Sequence, residues 1–219
     1  MGTIKKPFLF FLLIVSLANI CAYYVSGSLI PVHAIVGAPQ QVHLFNSDAL
    51  YLPTLFADIF QHNGQITNWL LTPAPYFFPD YPMFMLAYLI GATPYSQILA
   101  FSLIQTVLTF FAIWSVARLT VNVHALPAAL TIFVILIWLA LSAVTPFYLI
   151  LSSAFHYGAF LSLLFSLALW IQFNKTKKGK KKNVILLLLL VIAYTTALSD
   201  NLFLVQFIAP IALTQILMS

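Results

Sequence analysis

Long apolar stretches, separated by little polar sequence, constrain this chain more than any other feature. Residues 7–26, 97–117, 125–144 and 146–173 are each about as long as a helix must be to cross a hydrocarbon core of roughly 30 Å. A fifth stretch runs from Val184 to about Asn201, and a shorter sixth from Leu202 to the end. Charged residues make up only 6% of the chain, against roughly 25% in a soluble domain. The expected class is therefore all-α, a polytopic membrane helix bundle of about six spans, built as a single membrane domain over residues 1–219.

The few charges are unevenly placed. Six lysines fall in "KTKKGKKK" at 175–182, between two apolar segments that anchor the run at a bilayer surface, so nucleic acid is not the expected partner. The acids are four aspartates, Asp48, Asp58, Asp80 and Asp200, with no glutamate. Cys21 is alone, which leaves no disulfide framework or thiolate metal site. The basic start followed by about 19 apolar residues exceeds the roughly 7 to 15 of a cleaved signal, and reads as a retained span. Lys6 breaks the myristoylation pattern.

Topology follows from the positive-inside rule. The segment 81–92, "YPMFMLAYLIGA", reaches only about 18 Å as a helix, too short to cross. If it lies flat on the outer surface, Lys5, Lys6, Arg118 and the lysine run all face the cytoplasm, while the four aspartates face out. The reading is thus an N-terminus in the cytoplasm, a first span at 7–26, an outer loop at 28–92, and the remaining spans over 97–219. Within the loop, Asn46 or Ser47 is placed to cap a helix running to about Gln61, with Asp48 in its first turn and Asn63-Gly64 turning the chain after it. A second juxtamembrane helix follows "FFPDYP".

Counting about 20 residues back from Asn174 brings His156 near the outer boundary, and counting forward from Asn183 brings Asp200 near the same level. An outer cavity shared by His156 and Asp200, and covered by the helix that begins at Ser47, is the expectation. No HExxH, GxSxG, GxGxxG or P-loop motif occurs, and the histidines lack metal-ligand spacing, so no metal site and no cofactor are expected.

A basic N-terminus, one span, and a long outer loop opening with D-x-x-Y (Asp48, Tyr51) and closing with the Pro-rich "FFPDYPMF" resemble one group of enzymes. The arrangement is similar to the N-terminal module of the glycosyltransferase C superfamily, nearest the protein O-mannosyltransferases and lipid A aminoarabinose transferases. Those families open the first outer loop with D-E-x-x-Y. Matching Tyr51 to the motif tyrosine sets Asp48 on its Glu and Ser47 on its Asp. The resemblance implies two juxtamembrane helices, at 47–61 and 81–92, and sugar transfer from a polyprenyl-phosphate donor at the outer face. Asp48 is then the catalytic base, and Tyr51, Asp80, His156 and Asp200 are candidate substrate-binding residues. It also implies a multi-pass protein of a bacterial inner membrane, with membrane lipid and a polyprenyl-phosphate-linked sugar as partners. Such enzymes are usually much longer, so the resemblance implies that a fragment or a reduced relative is to be expected. A divalent metal would suit a lipid-linked phosphate, though no ligand spacing supports one. A non-catalytic scaffold that recruits a partner membrane subunit competes with the enzyme, because no Lys or Arg is expected outside. A transporter ranks last, since its midplane would need polar residues.

Overall fold

A computed structural model describes residues 6–29, 48–142, 150 and 156–218, and all regular structure among them is helical. The helices are α1 (Lys6–Leu29), α2 (Tyr51–Gln61), α3 (Asp80–Ile90), α4 (Pro94–Thr120), α5 (Ala125–Leu141), α6 (Tyr157–Lys175), α7 (Lys180–Ser199) and α8 (Ala209–Met218). A π-helical turn at Leu204–Ile208 leads into α8. Among the described residues, α4, α6, α7 and the segment Asn122–Leu141 that contains α5 are long and apolar enough to cross a membrane.

These four form the bundle. Helix α4 packs between α5 and α6, α7 packs on α6, and α1 packs on α5. Small residues, Ala112, Ala117, Ala129, Ala140 and Ala159, are buried where the helices meet, and they let backbones approach closely in a setting where lipid competes for every apolar contact. Two buried threonines bond inside their own helix, Thr106 donating to the Ser102 carbonyl at 2.8 Å and Thr109 to that of Gln105 at 2.8 Å. Polar links also cross the bundle: Gln105 Nε2 donates to the Ile150 carbonyl at 3.2 Å, and the Thr109 and Tyr157 hydroxyls lie 2.9 Å apart. The outward faces are apolar, as on α7, where Leu187, Leu190, Tyr194 and Leu198 are all exposed. An apolar exterior of this extent suits lipid and not water.

The ends of the bundle differ chemically. Helices α6 and α7 form a hairpin whose closed end carries Lys175, Lys177, Lys178 and Lys180 to Lys182. There Lys175 donates to the Leu119 carbonyl at the end of α4, and the Lys182 ammonium lies 4.3 Å from the Phe173 ring centroid. The open end, about 28 Å away along the 19 residues of α6, carries His156 and Asp200.

Helix α2 begins at Tyr51, with Leu50 at its N-cap making no side-chain capping bond and no acid in the first turn. This corrects the expected start at Ser47: Asp48 lies in the turn before the helix, where its carbonyl accepts from Tyr51 N at 3.1 Å. Pro53 gives the reason. With no N–H and a ring that clashes with the carbonyl four residues back, proline is tolerated only in a first turn. The caps expected from Asn46 and Ser47 lie outside the described residues. Helix α2 ends at Gln61, with Asn63 at φ 56° making the turn that Asn63-Gly64 predicts.

The short helix expected over 81–92 forms as α3, from Asp80 to Ile90. It pairs antiparallel with α4: Gln97 Nε2 donates to the Gly91 carbonyl at 3.1 Å, Phe84 packs on Phe101, and Met83 shares a small cavity with Leu108. Its Met83, Phe84 and Ala87 face is buried against α4 and α2, while Leu86, Leu89 and Ile90 stay exposed. A capping box at Thr93 and Ser96, with Pro94 at N1, then restarts the chain as α4.

Gly158, in the first turn of α6, admits α3 to the bundle. A Cβ there would lie 2.1 Å from Asp80 Oδ2 and 2.9 Å from Pro79 Cδ. Gly158→Ala is expected to destabilise the protein by about 1–3 kcal/mol through this overlap, read as a lowered Tm in detergent or nanodiscs. An unchanged Tm would mean that α3 is free to shift.

Candidate functional site

The loop from Asn63 to Pro79 folds over the open end of the bundle and creates a cleft of about 510 Å³, lined by Asp48, Leu50, Tyr51, Thr54, Trp69, Thr72, Pro73 and Tyr76. Three aromatic rings form much of its wall. Tyr51 stands 6.3 Å from Trp69 at an interplanar angle of 77°, and 6.4 Å from Tyr76 at 66°. Rings inclined so steeply build a box and not a stack.

Each wall is held from behind. Asp58 accepts the Trp69 indole N–H at 2.7 Å, so this aspartate orients a ring and is not merely a solvated helix face. Its Oδ2 would stand 2.1 Å from a Cβ on Gly64, so the turn at Asn63-Gly64 closes directly on the carboxylate. The Tyr51 and Tyr81 hydroxyls lie 3.1 Å apart, fixing Tyr51 to α3. Burial, then the hydrogen bond with Tyr51, pushes the Tyr81 phenol well above its ordinary range.

Behind the cleft lies a second group. His156 Nδ1 and Asp200 Oδ2 are 2.6 Å apart, and Asp200 Oδ1 accepts from Leu202 N at 3.0 Å. The depth count brings these two residues to one level, and they meet there. The neighbouring Ser199 hydroxyl accepts from Phe78 N at 2.9 Å, tying the loop to the end of α7. The Tyr76 ring stands 5.6 Å from the imidazole of His156, at 66°. Tyr76 and His156 both hold the left-handed backbone region, at φ 58° and φ 61°. Such conformations cost a bulky residue roughly 1–3 kcal/mol and gather where function overrides local preference.

Asp80 is the deepest of the acids, 2% exposed at the start of α3, with Oδ1 lacking a hydrogen-bond partner. Burial first, then the charge of Asp200, raises its carboxyl from 3.8 to about 7, against an opposing bond from its own backbone N–H. Tyr76 senses the whole arrangement: burial and then the charges of Asp200, Asp80 and Asp48 push its phenol up to about 12.

The expected site residues therefore divide. Asp48 and Tyr51 line the cleft, and Asp48 is exposed to solvent. His156, Asp200 and Asp80 are not among the residues that line this cleft, and His156 meets it through the ring of Tyr76. Sequence reasoning missed Trp69 and Tyr76. Proximity in "NWLLTPAPY" was their one signal, and it does not reveal that Asp58, eleven residues earlier, reaches Trp69. Among the described residues, no three His, Cys, Asp or Glu side chains gather to hold a metal ion.

No family model, curated protein or solved structure matches the chain.

Proposed function

We propose that the protein is a multi-pass membrane glycosyltransferase, or the N-terminal module of one, which transfers a sugar from a polyprenyl-phosphate donor at the outer face of the membrane. In this reading the bundle makes about six spans, with α1 and the α8 region added to the four long helices, and α2 and α3 as juxtamembrane helices. The lysine end faces the cytoplasm and the cleft faces out, as the positive-inside rule favours.

The observation that carries the reading is the cleft: an exposed carboxylate, Asp48, beside a preset aromatic wall at the edge of an apolar bundle. Such a wall suits a sugar ring, and the neighbouring bilayer suits a polyprenyl chain. Asp48 accepts the proton of an acceptor hydroxyl as its oxygen bonds to the anomeric carbon; the bond from that carbon to the phosphate oxygen breaks, and the polyprenyl phosphate leaves with the electron pair. Tyr51 and Tyr76 hold the sugar, while His156, Asp200 and Asp80 support Tyr76.

A second reading, a non-catalytic membrane scaffold, is favoured by one observation. No Lys or Arg occurs between residues 7 and 117, so the segment that builds the cleft offers no cation to a leaving phosphate. Membranes carrying the protein encoded by the full open reading frame, given a radiolabelled polyprenyl-phosphate sugar, separate the two. The enzyme reading expects label to leave the donor and appear in an acceptor. Donor that stays intact across the common sugars would favour the scaffold.

A further inference from the structure

The same cleft has a charge character that sugar transfer does not require, and it points to a ligand class. We propose that the box formed by Tyr51, Trp69 and Tyr76, with Asp48 at its rim, binds an organic ammonium group. This inference goes beyond sugar transfer and stands or falls separately from it.

Aromatic faces attract cations through the ring quadrupole, and boxes of several rings with a nearby carboxylate are a recurrent solution for ammonium ligands. The three rings here are steeply inclined and share one cavity wall. The volume of about 510 Å³ lies in the range of small-molecule sites. Two of the rings are anchored in advance, Trp69 by Asp58 and Tyr51 by Tyr81, so a ligand need not order them.

Charge points the same way. Asp48 lies on the cleft beside the three rings. The segment from residue 7 to residue 117, which supplies every cleft residue, contains no Lys or Arg. Arg118, Lys175 and Lys182 belong to the opposite end of the bundle. The nearby imidazole of His156 is engaged by Asp200. With Asp48 and three ring faces on the cleft, and no Lys or Arg in the segment that builds it, the local field favours a cationic group.

The ammonium can come from a soluble amine or from a lipid headgroup, and one experiment covers both. The protein is placed in phosphatidylglycerol nanodiscs, and Trp69 fluorescence is titrated with choline and with its neutral isostere 3,3-dimethylbutanol, using Trp69→Phe to define the Trp69 signal. Choline is expected to bind saturably and at least about tenfold more tightly than the isostere, with Asp48→Asn removing most of that preference. Repeating the titration in phosphatidylcholine nanodiscs identifies the source. Choline binding that disappears there assigns the site to lipid headgroups, and binding that persists assigns it to soluble amines. Equal binding of choline and isostere, or no saturable change with choline in phosphatidylglycerol, overturns the proposal. Because the comparison of choline with its isostere does not use Asp48→Asn, a folding defect in that variant cannot mask the result.

Discussion

Asp48→Asn is expected to abolish sugar transfer, lowering the rate by about 10²- to 10⁴-fold, the usual contribution of a general base. The side chain is exposed and lies in the turn before α2, and asparagine keeps its size and its liking for turns. Protein level, membrane insertion and Tm are expected to stay at wild-type values, since asparagine leaves in place the backbone carbonyl of residue 48 that accepts from Tyr51 N. What asparagine cannot do is take a proton. Asp58→Asn makes the control: it weakens the hold on Trp69 without touching the proposed base, so its defect should fall mainly on KM. Transfer by Asp48→Asn at the wild-type rate would remove Asp48 as the base.

Asp80→Asn is expected to act on stability, and in the opposite direction from most buried substitutions. The fold raises the Asp80 carboxyl from 3.8 to about 7, chiefly through burial. A raised acid favours the protonated state, so the folded protein binds a proton that the unfolded chain releases. Its contribution is intact below the unfolded value near 4 and is lost as pH rises through the folded value near 7. About three units correspond to a cost on the order of 4 kcal/mol at pH 8. Asparagine matches the protonated acid in shape and carries no charge to desolvate. The variant should therefore raise the Tm at pH 8, leave it nearly unchanged at pH 4, and flatten the decline between them. An undiminished decline in the variant would assign the pH dependence to another group.

The parts of this architecture that sequence could reveal are those set by local rules. Apolar length marks the long helices, and the lysine run marks one end of the α6–α7 hairpin. Counting residues at a fixed rise brings His156 and Asp200 together, because both sit on straight helices measured from the same lysine-rich end. The start of α2 was legible as well, since Pro53 forbids an earlier one, but the capping signal at Asn46 and Ser47 masks it. The cleft was not legible. Tyr76 reaches it through a left-handed backbone that nothing in its identity requires, and Trp69 is placed by a hydrogen bond from another turn of chain. Asp80 looks from sequence like a surface turn residue between prolines. Its burial depends on Gly158, 78 positions later, whose missing side chain makes the room.

The central claim is that the aspartate-lined cleft and the lysine run lie on opposite sides of the membrane, with the cleft outside. Single cysteines report this directly. With Cys21→Ser as background, His62→Cys at the end of α2 and Lys180→Cys at the start of α7 are treated in intact cells with a membrane-impermeant maleimide. Labelling at position 62 without detergent, and at position 180 only after the membrane is opened, is the predicted result. Labelling at position 180 in intact cells, or both positions reacting from the same side, would contradict it.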